Sequence, residues 1–125
     1  MKSINQYIQE KLIIKKSNYN YFPQTKQELK NLIEELIEER GNEGDFNDID
    51  TSGIRDMSEL FRGMNHFNGD ISNWDVSNVT NMDRMFSYCE NFNRDISNWK
   101  VSKVTSKTCM FFYCEIEEKY KPNFN

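Results

Sequence analysis

The apolar positions of this chain recur every 25 residues. Phe67, Ile71, Trp74, Val76, Val79, Met85, Phe86 and Cys89 fall on Phe92, Ile96, Trp99, Val101, Val104, Met110, Phe111 and Cys114. The same frame runs backwards, where Ile49, Ile54, Met57, Leu60, Phe61 and Met64 fall on Trp74, Val79, Met82, Met85, Phe86 and Cys89. Three copies in one register, 41–66, 67–91 and 92–116, decide the architecture before any local structure is considered. Inside a copy the pattern changes. Trp74 and Val76 alternate with Asp75 and Ser77, which predicts a short strand with one buried face. Met82, Met85, Phe86 and Cys89 then stand at i, i+3, i+4 and i+7, which predicts one helical face.

A strand and a turn or two of helix cannot bury their apolar side alone, so the copies are expected to stack. Stacking brings equivalents into columns: Ile49–Trp74–Trp99, Ile54–Val79–Val104 and Phe61–Phe86–Phe111. The expected fold is α/β, a short leucine-rich-repeat-like solenoid of three strand–helix repeats with an N-terminal helical cap over 1–40. Within that cap Thr25-Lys26-Gln27-Glu28 reads as a capping box. Leu29, Leu32, Ile33, Leu36 and Ile37 form one stripe, and Gly41 ends it, predicting a helix over Lys26 to Arg40. Ile4, Tyr7, Ile8 and Leu12 fit one stripe of a further helix near Ser3 to Ile14, with Leu12-Ile13-Ile14 alternatively extended, and Asn18 to Phe22 reads as extended or loop. The segment 117–125 breaks the repeat. Its Tyr120, Pro122 and Phe124 are expected to close the last copy.

The recurring F-N-x-D-I-S-x-W-x-V-S-x-V-T-x-x-x-x-M-F pattern at 67–86 and 92–111 resembles the BspA-like leucine-rich repeats, a 25-residue repeat of a domain of unknown function. The resemblance covers about 41–116, and YFPQTKQELKNLIEEL at 21–36 is similar to the lead-in found beside such repeats. It implies a stacked-repeat fold and a binding role; many relatives are surface proteins that mediate attachment.

Charge then narrows the partners. The formal net charge is −4, which argues against the basic face of a general nucleic-acid binder. From 41 to 95 there are eleven acids and four bases, a net of −7, which favours a basic protein partner. No run approaches the ~18 apolar residues of a membrane span. The N-terminus lacks the apolar core and cleavage site of a secretory signal, so a cytoplasmic location is expected, with surface display only if a leader is missing.

Candidate chemistry is sparse. Asp48, Asp50, Ser52, Asp56 and Glu59, with Gly53, occupy ligand positions of an EF-hand loop. Arg55 is unsuitable there, and the repeat frame already explains Asp50 and Ser52, so no metal is expected and this set stands as the outside candidate. Cys89, Cys109, Cys114 and a lone His66 make no zinc set, and a Cys89–Cys114 disulfide is the minority reading. One histidine and no Gly-rich phosphate loop leave little for catalysis or a cofactor. The chain is expected to be no enzyme. The expected function is a protein-interaction module, with an inhibitor or immunity-type protein that blocks a basic or nucleic-acid-binding enzyme as the alternative. The expected contact residues alternate with the core: Asp50, Asp75 and Lys100 in one column, Ser52, Ser77 and Ser102 in another.

Overall fold

The computed structural model describes residues 3–6 and 19–125. The predicted helix near Ser3 to Ile14 lies largely outside them. The strand–helix architecture is overturned. The described residues hold one long α-helix, α1 (Lys26–Arg40), a 3-10 turn at Glu118–Tyr120, and no β-sheet. Among the described residues β-type pairing between copies is confined to isolated parallel bridges, such as Asp45 with Asp70, Asp56 with Asn81, and Asn81 with Ser106. The copies still lie in register, but each is a run of turns.

The hydrogen bonds explain why the predicted helical face is not a helix. In 57–64 alternate amides point in two directions. Those of Leu60, Arg62 and Met64 close local turns onto Met57, Glu59 and Phe61. Those of Met57, Glu59, Phe61 and Gly63 donate instead to Asn81, Asp83, Met85 and Ser87 of the next copy, at 2.9–3.0 Å. The pattern repeats from Met82, Arg84, Phe86 and Tyr88 to Ser106, Thr108, Met110 and Phe112, at 2.8–2.9 Å. Half the amides therefore leave the segment, whereas an α-helix would return them all to its own carbonyls. This turn ladder needs a left-handed residue at regular points. Glu59, Arg84 and Cys109 form one such column at φ 58°, 53° and 52°, and Gly63, Tyr88 and Tyr113 a second at 78°, 61° and 53°.

Burial follows the predicted columns although the elements differ. Phe61, Phe86 and Phe111 stack nearly parallel, with centroids 5.3 and 5.6 Å apart. Phe67 and Phe92 make a parallel second column at 6.0 Å. Phe86 and Phe92 also stack, at 4.4 Å, joining the two columns into one aromatic core. Trp74 and Trp99 are buried, and their indole N–H groups donate to the Phe46 and Ile71 carbonyls at 2.9 and 3.1 Å. Each tryptophan thus fills a core column and ties its copy to the preceding one.

Both ends are closed in part. The Thr25 hydroxyl accepts the Glu28 amide at 3.1 Å, as the capping box predicts, while the Glu28 carboxylate accepts the Gln24 amide at 2.8 Å, one residue ahead of the Thr25 amide that a capping box uses. Leu29, Ile33 and Leu36 of α1 are buried in the same core as Met57 and Leu60. Tyr21 adds a bridge to Ile49. At the other end Tyr120 accepts the Ile96 amide at 3.0 Å, Pro122 is buried, and Phe124 packs against the core. Among the described residues no helix is long and apolar enough to cross a membrane.

Candidate interaction surface

The repeated aspartates build the turns before they build a surface. Asp50 accepts both the amide and the hydroxyl of Ser52, at 3.0 and 2.6 Å, and Asp75 does the same with Ser77 at the same distances. Asp70 with Ser72 and Asp95 with Ser97 repeat the arrangement. These are Asx turns, in which a side chain supplies the acceptor that strand pairing would have supplied. The Ser97 hydroxyl and amide hold the Asp95 carboxyl below its ordinary range. At Asp70 burial pushes the other way, but the Ser72 hydroxyl and amide outweigh it and the carboxyl is again lowered. Alternation of these polar residues with apolar ones suggested a strand for the same reason: both structures put every second side chain outward.

The predicted contact residues therefore have mixed roles. Asp75, Lys100 and Ser102 are exposed, while Asp50, Ser52 and Ser77 are half-buried. Lys100 breaks the Asx column. With Ser102 it lines a depression of about 440 Å³ beside Asn123, Phe124 and Asn125, one copy removed from Asp75. The Asp50 and Asp75 carboxylates of these columns are already engaged with serine donors.

The calcium candidates do not converge either. Asp48 pairs with Arg40 at 2.7 and 2.9 Å, Asp56 reaches Lys26 at 3.4 Å, and Glu59 reaches Arg62 at 2.9 Å. Among the described residues no group of three or more His, Cys, Asp or Glu side chains is placed to hold a metal ion. The three thiols are free: Cys89 buried, Cys114 half-buried and Cys109 exposed. Burial, with Cys114 beside it, pushes the Cys89 thiol up to about 12, so it packs as a small apolar group.

A further surface feature, which the 25-residue pattern does not announce, lies on the turn ladders. Tyr88, Phe112 and Tyr113 are 42%, 48% and 67% exposed. Tyr88 and Tyr113 stack at 5.4 Å and 12°, and Phe112 stands edge-on to both, at 5.7 and 4.6 Å. Tyr88 and Tyr113 occupy the left-handed column where the first copy has Gly63. That was the available signal: a position filled by glycine in one copy and tyrosine in two is neither core nor ordinary surface. A bulky side chain in the left-handed region costs ~1–2 kcal/mol; at Tyr88 the amide is held by the Phe112 carbonyl of the next copy at 2.8 Å.

No curated protein and no solved structure matches the chain. The family described as "Mycoplasma protein of unknown function, DUF285" matches residues 27–122. That span begins inside α1, takes in all three turn-built copies and ends in the closing segment, so the chain belongs to this family.

Proposed function

We propose that this chain is a non-catalytic protein-interaction module whose partner is held on the rigid turn-ladder face around Tyr88, Phe112 and Tyr113. The observation that carries the reading is that cluster: three exposed aromatic rings, packed on one another and fixed to a hydrogen-bonded backbone. Exposed aromatic groups that lose little side-chain entropy are the residues that anchor protein interfaces. The F-N-x-D-I-S-x-W pattern supports kinship with the BspA-like repeats in binding habit, while the strand–helix build is replaced by turns. Three free thiols fit a reducing, cytoplasmic setting.

The test is affinity capture from a lysate of the source cell with three proteins: wild type, the pair Tyr88→Ser and Tyr113→Ser, and the pair Asp50→Asn and Asp75→Asn. Near-ultraviolet circular dichroism checks that each is folded. The expected partner is held by wild type and the asparagine pair and lost by the serine pair. Loss with the asparagine pair alone would return the site to the aspartate column. A second reading, an inhibitor of a basic or nucleic-acid-binding enzyme, is favoured by the net −7 of residues 41–95. It requires a captured enzyme whose activity falls on addition of the pure protein.

A further inference from the structure

The third turn ladder, 107–114, repeats the geometry of the first two; 121–124 packs beside it, with the Phe124 ring 5.1 Å from the Lys107 ammonium, but among the described residues no further copy pairs with its outward amides. Its Met110, Phe112 and Cys114 amides close local turns onto Lys107, Cys109 and Phe111. The amides of Lys107, Cys109, Phe111 and Tyr113 stand where Met82, Arg84, Phe86 and Tyr88 stand one copy earlier, and among the described residues they find no acceptor. The two earlier rows show what such a row takes: four carbonyls of the next copy, at alternate residues, all within 2.8–3.0 Å. An outward row of backbone amides without partners calls for carbonyl or anionic oxygens.

We propose that this amide edge is a docking site for an acidic peptide segment, which lays its carbonyls along Lys107, Cys109, Phe111 and Tyr113 as a fourth copy would. The inference rests on the interaction-module reading, because Tyr113 belongs both to the row and to the aromatic cluster. Charge selects the partner. Residues 96–125 carry five lysines and three glutamates, a net of +2, in contrast to the acidic stretch before them. Lys107 heads the row with its side chain exposed, and the Lys121 ammonium lies 5.2 Å from the Phe111 ring. Both lysines border a depression of about 230 Å³ whose other walls are Met110, Phe111, Pro122 and Phe124. That depression offers room for one or two side chains of the bound segment.

A second copy of this chain fits poorly. Two such edges face to face would set donors against donors and lysines against lysines. The opposite end, where the first copy's carbonyls lie, carries α1, whose Lys26 reaches Asp56 and Ser58 at 3.4 and 3.0 Å. A peptide entering the row repeats the logic of strand addition to a sheet edge: backbone bonds give affinity, and flanking charge gives selectivity.

Amide-resolved hydrogen exchange and titration on the full chain test this in two steps. In the free protein the amides of 107, 109, 111 and 113 should exchange far faster than those of 82, 84, 86 and 88. Equal protection would mean a closed edge and would end the proposal. A synthetic peptide of alternating glutamate and serine should then shift and protect these four amides by ~10-fold or more. The interleaved amides of 110, 112 and 114 should be little changed. The pair Lys107→Glu and Lys121→Glu should weaken that binding ~10-fold or more. Equal binding of the glutamine–serine peptide, or of oligothymidine, at the same amides would overturn the choice of an acidic polypeptide. Self-association that protects the same amides would assign the edge to a second copy. If the peptide leaves the row untouched while a captured partner still depends on Tyr88 and Tyr113, the edge proposal fails and the aromatic-site reading stands.

Discussion

Two glycines show how differently single residues serve the turns. Gly63 sits at φ 78° with open space where a Cβ would stand, so Gly63→Ala is expected to cost only the backbone strain, about 1 kcal/mol. At Gly69 a Cβ would lie 2.5 Å from the Phe46 ring and 2.7 Å from the Phe67 ring. Gly69→Ala must displace two buried phenylalanines, and its cost should reach about 2–3 kcal/mol. Urea unfolding ranks the two, and an equal loss would discredit the packing described around Phe46. A second residue-scale effect is titrable. The Arg40 guanidinium, against the opposing effect of burial and with help from the Asn20 amide, holds the Asp48 carboxyl at about 2 in place of 3.8. The folded value is depressed, so the stabilisation is complete above about pH 4 and drains away as pH falls toward 2. It should amount to about 2 kcal/mol, since the pair is only a fifth to a quarter exposed. Asp48→Asn should lower stability at pH 7 and flatten the acid limb between those values; an unchanged limb would show that the ion pair contributes nothing.

At the scale of elements, the phenylalanine columns carry the stack, and position within a column sets the cost of losing a ring. Phe86 lies between Phe61 and Phe111 and also stacks on Phe92 at 4.4 Å. Phe86→Ala should cost about 3–5 kcal/mol, while Phe111→Ala, at the half-buried end, should cost less than half as much by chemical denaturation. A larger loss at Phe111 would mean that the edge beyond it is covered. These columns were legible in the sequence because burial repeats whatever the backbone does: Trp74, Val79 and Phe86 point inward from turns as they would from strand and helix. The elements were not legible. Met82, Met85, Phe86 and Cys89 have the spacing of a helical face, but Arg84 and Tyr88 between them adopt φ 53° and 61°, which no periodicity of apolar residues reports. By contrast α1 was readable to its ends, since Thr25, Glu28 and Gly41 act locally and need no neighbouring copy.

The whole molecule carries its charge as part of its turns, and this separates two effects that the sequence merges. Asp50, Asp70, Asp75 and Asp95 each accept the amide and hydroxyl of a serine two residues on. Their neutral isostere already does the same work elsewhere, where Asn81 accepts the Asp83 amide at 2.8 Å. Replacing all four by asparagine removes four negative charges and brings the formal net charge from −4 to zero. That protein should keep its turns and unfold within about 1–2 kcal/mol of wild type. The price should appear as lower solubility near neutral pH. Replacing all four by alanine removes the acceptors as well, and at roughly 1 kcal/mol per lost hydrogen-bonding group the summed cost approaches 4 kcal/mol. Against a typical stability of ~5–15 kcal/mol for a domain, such a loss is severe. Two quadruple variants that are both as stable as wild type, measured at one salt concentration, would mean that the Asx bonds contribute little. A quadruple asparagine variant as unstable as the alanine one would instead mean that the negative charge itself holds the stack together, through long-range attraction to the lysines of the last copy. The turn geometry predicts the opposite ordering: acceptor atoms decide stability, and charge is left for whatever approaches the surface.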